Sequence, residues 1–266
     1  MKRSAILGMI ALLLAAACTV KEDRTYCPAL CVVYSDGYLA EGCGGELCYN
    51  LVAEQEGVLG YGTGSLSSFT ERGKLVFEVP RNENVYVDVF CGQLSMTIGD
   101  SALRIPLGCC CDKIYSGHGR VVITGEEGEA GLPLHKDFAQ LKLELLLEGE
   151  DNPFFLRILG NVDGYVLPGG LPHKGEFDYR PVEGKDRSFT AIVPRQYDES
   201  LILEICRRSD GMPVERYPLG QMIGDKGYDW KQPDLEDLEI FLSFGELGFE
   251  IEISPWEESG TINLTI

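Results

Sequence analysis

The sequence predicts an all-β protein, and three observations lead to that prediction. Apolar and polar residues alternate with a period of two in a series of short segments that are rich in β-branched and aromatic residues. No segment sustains an apolar period of 3.6 residues with caps at both ends, as a helix would. The 32 glycines and 13 prolines are enough to supply many turns between strands.

The alternating segments follow one another along most of the chain and are separated by Gly, Pro, Asn and Asp. Turn signals such as Gly169-Gly170 and Asp210-Gly211 lie between them. The predicted strands are KLVFEV (74–79), VYVDVF (85–90), RVVIT (120–124), LKLELLLE (141–148), FTAIV (189–193), LILEIC (201–206), LEIFLSF (238–244), FEIEI (249–253) and TINLTI (261–266).

The first element in chain order is a predicted secretory signal over residues 1–17. Lys2 and Arg3 form a positive start, and the apolar run that follows ends in small residues. This run is shorter than the roughly 20 apolar residues that a membrane-spanning helix needs. Its end, AAAC, resembles a bacterial lipobox, which implies cleavage before Cys18 and attachment of diacylglycerol to its thiol. The alternative is an ordinary cleaved signal with a free cysteine nearby.

The next element is a short charged tether, residues 18–26. Several acyl chains on one residue would hold the protein stably in a membrane. Lys21, Glu22 and Asp23 resemble the signal that marks lipoproteins of Bacteroidetes for surface export. We therefore expect the protein at the cell surface, anchored to the outer membrane. The alternative is that these three residues are only a solvated spacer.

A cysteine-rich region follows the tether. If Cys18 is lipidated, an odd number of cysteines remains, so at least one thiol should stay free or pair between molecules. Cys206 lies far from the others. A metal site is disfavoured because the spacings differ from paired C-x-x-C and histidine is scarce. The candidates for disulfides, whose pairing the sequence leaves open, are Cys27, Cys31, Cys43, Cys48, Cys91, Cys109, Cys110 and Cys111.

A glycine-rich acidic stretch, GEEGEAGLP (125–133), is the predicted linker between two domains. The cysteines nearly vanish after it. We expect two β-sandwiches, one cysteine-rich at residues 27–126 and one at 127–266, because domains of this size are the most common. Repeats with a period of 20–50 residues are not apparent, which disfavours a propeller or a solenoid.

Composition and motifs exclude several classes of function. The formal net charge of −19 repels phosphate backbones, so nucleic-acid binding is disfavoured. The three histidines, His118, His135 and His173, lie in no catalytic motif and are expected at the surface or in loops. We expect no enzymatic activity, no cofactor and no metal site. The glycine-rich GYGTGSLSS (60–68) lacks the rest of a phosphate-binding loop and is interpreted as a flexible hairpin tip.

Two further patterns concern carbohydrate. Asp100-Ser101-Ala102 matches the short pattern at which Bacteroidetes attach O-glycans, so Ser101 is a candidate for O-glycosylation. Tyr228 and Trp230 could form an aromatic platform for a sugar, whereas Trp256 is expected in the core.

Several of these segments together resemble the fimbrillin-associated anchor lipoproteins of Bacteroidetes, the FimB-like minor subunits of type V fimbriae. The resemblance rests on CTVKEDRTYCP followed at once by a strand, on FEVP leading into VYVDVFCG, on IYSGHGRV, and on FEIEISPWEESGTINLTI. It covers most of the chain after the signal. It implies two tandem transthyretin-like β-sandwich domains, no enzymatic activity, and fimbrillin or other fimbrial subunits as partners. The cysteine-rich first domain departs from the family pattern.

The sequence leaves two functions open. The first is an anchor or minor structural subunit of a fimbria that binds its partners by strand pairing. The alternative is a surface lipoprotein that binds glycans for nutrient uptake. An exposed pair of Tyr228 and Trp230 would favour the alternative, and an apolar groove along a sheet edge would favour the first. The terminal segment 261–266 is predicted to complete its own sheet or to be donated to a neighbour.

Overall fold

The structure, a computed structural model, describes residues 27–35, 46–66, 69, 73–92, 95–99, 101–147, 151–245 and 248–255. Strands dominate these residues, as the all-β prediction requires. The elements are β1 (Ala29–Tyr34), β2 (Glu46–Ala53), β3 (Gly57–Ser65), β4 (Leu75–Val79), β5 (Asn84–Cys91), β6 (Thr97–Gly99), β7 (Ala102–Arg104), β8 (Tyr115–Val122), β9 (Glu127–Gly131), β10 (His135–Lys136), β11 (Phe138–Leu146), β12 (Phe154–Val166), β13 (Pro172–Tyr179), a 3₁₀ turn (Lys185–Arg187), β14 (Ser188–Pro194), β15 (Ile202–Arg207), β16 (Pro213–Tyr217), helix α1 (Leu219–Asp225), β17 (Leu238–Gly245) and β18 (Gly248–Pro255).

The strands form four sheets. Sheet 1 has the order β4-β1-β9, and sheet 2 has the order β10-β8-β5-β2-β3. Sheet 3 has the order β14-β11-β17-β18, and sheet 4 has the order β16-β15-β12-β7-β6, with β13 also paired to β12. Most neighbours are antiparallel, but β1 pairs with β9 and β11 pairs with β17 in parallel.

The alternating segments that lie in the described residues are strands, so the fold-class prediction is confirmed for them. β5 has Val85, Val87 and Val89 fully buried. β11 has Leu141, Leu143 and Leu145 buried. These residues alternate with more polar ones because successive side chains of a strand point to opposite faces of the sheet. The ninth segment, 261–266, and Trp256 lie outside the described residues.

Two glycine-rich stretches differ from their interpretation. Residues 60–65 are not a hairpin tip but the second half of β3, which pairs with β2 from Gly57 to Ser65. The predicted linker at 125–133 contains β9, whose register with β1 runs from Leu30↔Glu127 to Tyr34↔Gly131. In both cases hydrogen bonds to a partner strand hold the segment extended, and the segment's own sequence does not predict this pairing.

The sheets do not divide at residue 126. β9 and β10, which follow that residue, complete sheets 1 and 2. In the other direction, the hairpin β6–β7 joins sheet 4 through the pairs Gly164↔Arg104, Tyr165↔Leu103 and Val166↔Ala102. Chain from each predicted domain therefore lies in a sheet of the other, and the division at 126/127 stays a prediction.

The core is one continuous cluster of buried apolar side chains that draws on all four sheets. Its largest fully buried members include Tyr165, Phe69, Phe90 and Phe189. Among the described residues, the structure contains no helix with the length and apolar character needed to cross a membrane.

Candidate interaction surface

Strand β3 forms one edge of sheet 2, and its sequence lacks the usual protection of an edge. It carries no charged residue over Gly57–Ser65, in a chain of which 24% of residues are charged. The side chains of Val58 and Tyr61 are 63% and 70% exposed. Soluble proteins normally place charges, prolines or covering segments on such an edge, because its unpaired backbone groups attract other strands.

The other long edges of the described sheets are charged or covered. β18 carries Glu250 and Glu252. β14 is uncharged, but an isolated bridge pairs Phe189 with Glu183, and the Cys111 amide donates to the Ile192 carbonyl at 3.0 Å. Within the part of the chain that the structure describes, β3 is therefore the long edge strand with neither charged side chains nor a covering segment.

The core-facing side of β3 is a row of glycines. Gly60, Gly62 and Gly64 lie opposite Leu51, Tyr49 and Leu47, respectively, so they face the same side as these core residues. A Cβ atom at Gly62 would lie 2.6 Å from the Tyr49 hydroxyl, so the tyrosine covers this position. A Cβ atom at Gly60 or Gly64 would meet nothing within 4 Å. The space beside these two glycines is open.

Within the described residues, β3 of sheet 2 and β4 of sheet 1 are not hydrogen-bonded to each other. Tyr49 of β2 contacts Phe77 of β4 with ring centroids 4.8 Å apart. These rings, with Leu59 and Leu75, are only partly buried at the margin of the core. A cavity of about 550 Å³ is lined by residues of both edge strands. We call it the β3–β4 groove; the residues that line it include Cys27, Glu56, Leu59, Glu78, Val79 and Arg81.

A second cavity, of about 400 Å³, lies on the outer face of the same edge strand. Val58 and Tyr61 of β3, Ile98 of β6 and Leu167 line it, with Ser101 at its rim. Ser101 is exposed in the turn between β6 and β7, with φ at +68°. Its O-glycosylation stays a prediction.

A buried polar network, which the sequence did not reveal, lies on that outer face of sheet 2. Asp88 accepts hydrogen bonds from Asn50 Nδ2 at 2.9 Å and from the Gly169 amide at 2.8 Å. It also lies 2.8 Å from His118 Nδ1, and His118 Nε2 lies 2.7 Å from Ser116 Oγ. Asp88 and His118 face each other across β5 and β8, and Ser116 follows on the same face of β8.

This order of aspartate, histidine and serine is that of a hydrolase triad, but the serine is not presented to a substrate. Ser116 is 2% exposed, and its hydroxyl also donates to Asp137. Arg195 pairs with Asp137 through Nε at 2.8 Å and donates to the carbonyls of residues 136, 230, 232 and 233. The network therefore joins sheets and loops. His118 is not the surface residue that we expected, since it takes part in this network.

A second histidine lies in a smaller network of the same kind. His173 Nδ1 is 2.5 Å from Asp163, which also accepts from Arg104 of β7 at 3.0 Å. His135 of β10 is more exposed and lies 3.4 Å from Asp234. No group of three or more His, Cys, Asp or Glu side chains is placed to hold a metal ion among the residues that the structure describes.

The candidate cysteines have different environments. Cys91 of β5 is disulfide-bonded, and Cys48 is half-buried on β2. Cys43, like the predicted lipidation site Cys18 and the export signal Lys21, Glu22 and Asp23, lies outside the described residues. For five others the structure differs from the expectation of disulfides, because each carries a free thiol: Cys27, Cys31, Cys109, Cys110 and Cys111.

The inner thiols are buried, and burial disfavours their thiolate forms. Cys31 lies in the core side of β1, and burial raises its pKa to about 11. Burial also raises the pKa of Cys111 well above the ordinary value, an effect that its contact with the Tyr165 hydroxyl at 4.0 Å partly offsets. Cys206, also a free thiol, is buried on β15. These side chains fill core positions as small apolar groups do.

The predicted aromatic platform is wrong. Trp230 is 8% exposed, and its ring packs edge-on against Tyr228 with centroids 4.8 Å apart. The Tyr228 hydroxyl donates to the Glu236 carbonyl at 2.7 Å, and burial raises the pKa of this tyrosine. Because Arg195 holds the Trp230–Pro233 segment by its carbonyls, the tryptophan faces the core and cannot stack on a sugar.

These features define a class of protein: an all-β, sandwich-type chain with a buried polar network and an uncharged edge strand, β3. No protein-family model matches the chain, and no curated protein matches it in sequence. Solved structures do match its fold.

Three structures are similar over nearly their whole length. A protein from Bacteroides thetaiotaomicron proposed to bind polysaccharide has a TM-score of 0.65 at 12% identity, covering 86% of this chain and 99% of that one. The fimbrial anchor protein Mfa2 from Porphyromonas gingivalis has a TM-score of 0.66 at 11% identity, covering 86% and 98%. A proposed adhesin from Bacteroides ovatus has a TM-score of 0.63 at 10% identity, covering 88% and 94%. At these identities the likeness establishes the fold.

Proposed function

We propose that this protein is a surface lipoprotein that serves as anchor or minor structural subunit of a fimbria and binds fimbrial partners by strand pairing. The observation that carries the proposal is the uncharged, exposed edge strand β3 beside the β3–β4 groove. An edge of this kind offers main-chain hydrogen bonds for affinity and pockets for alternate side chains for selectivity. The likeness of the fold to a fimbrial anchor and a proposed adhesin supports the same role.

The lipid anchor and the export signal complete the proposal. Cys18 would carry the lipid, and Lys21, Glu22 and Asp23 would direct the protein to the outer face of the outer membrane. The described chain begins at Cys27, which itself lines the β3–β4 groove. The proposed tether therefore leaves the folded part beside the surface that we assign to partners.

The test uses the full-length protein in a bacterium that makes its fimbriae. We expect the wild-type protein in the outer-membrane fraction and, after the membrane is dissolved in mild detergent, together with the isolated fimbriae. The Cys18→Ser variant should appear in the soluble fraction. Changing Lys21, Glu22 and Asp23 together to Ala should keep the protein membrane-bound but hide it from protease added to whole cells. A wild-type protein that never accompanies the fimbriae would contradict the proposal.

Glycan binding is the second candidate, and it now rests on a different residue. Tyr61 is 70% exposed beside a cavity with polar groups at its rim, and one protein of similar fold is proposed to bind polysaccharide. A stacking platform on Tyr61 predicts that Tyr61→Ala abolishes retention on a polysaccharide column while assembly with fimbriae persists. Retention that does not depend on Tyr61 would remove this candidate.

A further inference from the structure

We infer that the cavity of about 400 Å³ beside Tyr61 binds one uncharged sugar ring of a polysaccharide, which stacks on Tyr61 and donates a hydroxyl hydrogen bond to the Asn50 side chain. We call it the Tyr61 cavity. This inference rests on the second candidate function above, and it assigns the class of sugar and the groups that recognise it. Register, hydrogen bonding and charge each support it.

The aromatic ring and the amide are neighbours on the outer face of sheet 2. Tyr61 of β3 and Asn50 of β2 lie directly opposite each other in the register, so their side chains leave the sheet on the same side. Both line the Tyr61 cavity. Tyr61 is 70% exposed, so its ring is accessible to the C–H face of a sugar, whereas Asn50 is only 5% exposed.

Asp88 determines which atom of the Asn50 amide is presented to a ligand. An ionised carboxylate only accepts hydrogen bonds, so the amide nitrogen must face Asp88, and Nδ2 donates to Oδ2 at 2.9 Å. The other carboxylate oxygen lies 2.8 Å from the Gly169 amide and 2.8 Å from His118 Nδ1. Both oxygens of Asp88 are therefore engaged, and the Asn50 amide is fixed with Oδ1 turned away from the carboxylate.

The fixed oxygen of Asn50 is an acceptor without a donor. It accepts no hydrogen bond from the described residues, and it is not sealed from solvent. The side chain that carries it is more than nine-tenths buried and lines the cavity. A ligand hydroxyl would supply the missing donor.

The charges around the cavity disfavour an acidic sugar. None of the described residues that line it is charged. Carboxylate and sulfate groups have no proton to donate to Asn50 Oδ1, and they would approach the Asp88 carboxylate behind it. The net charge of −19 repels them further. Hydroxyls of an uncharged sugar avoid both penalties.

The size and the lining of the cavity also agree with a small ligand. Its volume of about 400 Å³ lies within the range of about 300–1,000 Å³ that such sites have. Val58, Ile98 and Leu167 offer apolar contacts to C–H groups, and the Ser101 hydroxyl can donate or accept at the rim. A few polar groups placed among apolar ones fix the orientation of a ligand.

The test compares neutral and acidic polysaccharides on columns, using the full-length protein in mild detergent. The neutral probes are dextran, pullulan and galactomannan, and the acidic probes are alginate and polygalacturonate. We expect retention on at least one neutral column, and at least about tenfold weaker binding to both acidic ones. Raising the salt from about 0.15 M to about 1 M, which screens long-range repulsion, should not restore binding to the acidic probes, because Asn50 Oδ1 still finds no donor.

Variants of the two recognition residues locate the binding. Tyr61→Ala should weaken it at least about tenfold, and Tyr61→Phe, which keeps the ring, should restore most of that loss. Tyr34→Ala is the matched control, because this tyrosine is exposed on sheet 1 and is not among the residues that line the cavity. Asn50→Leu should weaken binding about tenfold by removing the acceptor. Since it also removes a hydrogen bond to Asp88, circular dichroism checks its folding, and the tyrosine variants carry the test alone if it unfolds.

The outcomes separate this inference from the functions proposed above. Equal binding of acidic and neutral probes, with dependence on Tyr61, would overturn the class of sugar but keep glycan binding. Retention on none of the neutral columns, or retention that Tyr61→Ala leaves unchanged, would overturn the inference. The fimbrial role is tested by whether the protein accompanies isolated fimbriae, which does not depend on these columns.

Discussion

At the scale of single residues, Gly62 and Gly60 have opposite roles although they are neighbours on one face of β3. A side chain at Gly62 would displace Tyr49 from its contact with Phe77. We expect Gly62→Val to lower the free energy of unfolding by about 1–3 kcal/mol, as overpacking usually does. Gly60→Val should leave it nearly unchanged, and urea denaturation of the two variants measures the difference. Equal midpoints would show that Tyr49 moves aside freely.

The thiols offer a second prediction at this scale. Cys27 is exposed, whereas Cys31 and Cys111 are fully buried with raised pKa values. Because the thiolate is the reactive form, the native protein should alkylate quickly at Cys27 and not at the two buried positions. Peptide mass spectrometry after brief treatment with iodoacetamide, with and without denaturant, checks this. Rapid native labelling of Cys31 would contradict its buried placement.

The predictability of the site also depends on particular residues. Residues 60–65 alternate glycine with Tyr61, Thr63 and Ser65, but the core-facing positions carry no apolar side chain, so the segment lacks the apolar pattern that predicts a strand. The burial of Trp230 depends on Arg195, which is distant in the chain, and on the turn that this arginine holds. No local pattern contains that contact.

At the scale of elements, the Arg195 side chain connects several loops through hydrogen bonds. Its pair with Asp137 is buried, with side chains 13% and 10% exposed, and it donates to four carbonyls. Removing one partner of a buried pair leaves the other uncompensated, so Arg195→Met should cost about 3–5 kcal/mol of stability. The matched control is Arg207→Met, which breaks the exposed pair with Asp210 and should leave stability almost unchanged. Similar losses in the two variants would contradict this ranking.

The strand pair β12–β13 carries a pH-dependent contact. Arg157 holds Asp178 through two hydrogen bonds, at 2.8 and 2.5 Å, and lowers the pKa of this carboxyl. A lowered pKa in the folded state stabilises the protein above the ordinary value, and this contribution is lost as the pH falls through the lowered value.

Asp178→Asn should therefore cost about 0.2–1 kcal/mol at pH 7, because the pair is only half-buried. The difference from wild type should shrink as the pH falls below about 4. Urea denaturation across this range measures it, with Glu129→Gln, an exposed carboxylate, as the control. A difference that stays constant down to pH 3 would contradict the role of the charge.

Strands were predictable where apolar and polar side chains alternate along the segment itself. β4, β5, β11 and β15 fall into this group, although β11 pairs in parallel with β17, about a hundred residues later. β9 does not, because its sequence EGEAG has little apolar character. Parallel pairing needs a long connection and leaves no local turn signal.

At the scale of the whole molecule, the exchange of strands between the two halves couples them. β9 and β10 complete the sheets of the first half, and β6–β7 extends sheet 4 of the second. Because the buried side chains also form one cluster, we expect a single calorimetric unfolding transition whose van't Hoff and calorimetric enthalpies agree. Two separate transitions would show that the predicted division near residue 126 corresponds to independent domains.

The place of β1 in its sheet has a mechanical consequence. β1 follows closely behind the proposed attachment point and lies in the middle of sheet 1, hydrogen-bonded to β4 on one side and to β9 on the other. A tensile force that reaches the fold through the tether acts along this strand, while its hydrogen bonds lie across it. The force then acts on all the hydrogen bonds of the β1–β4 and β1–β9 pairs together, and they do not open one at a time. A strand at the edge would share the load with one neighbour, whereas this one transmits it to two, one of them from beyond the predicted domain boundary.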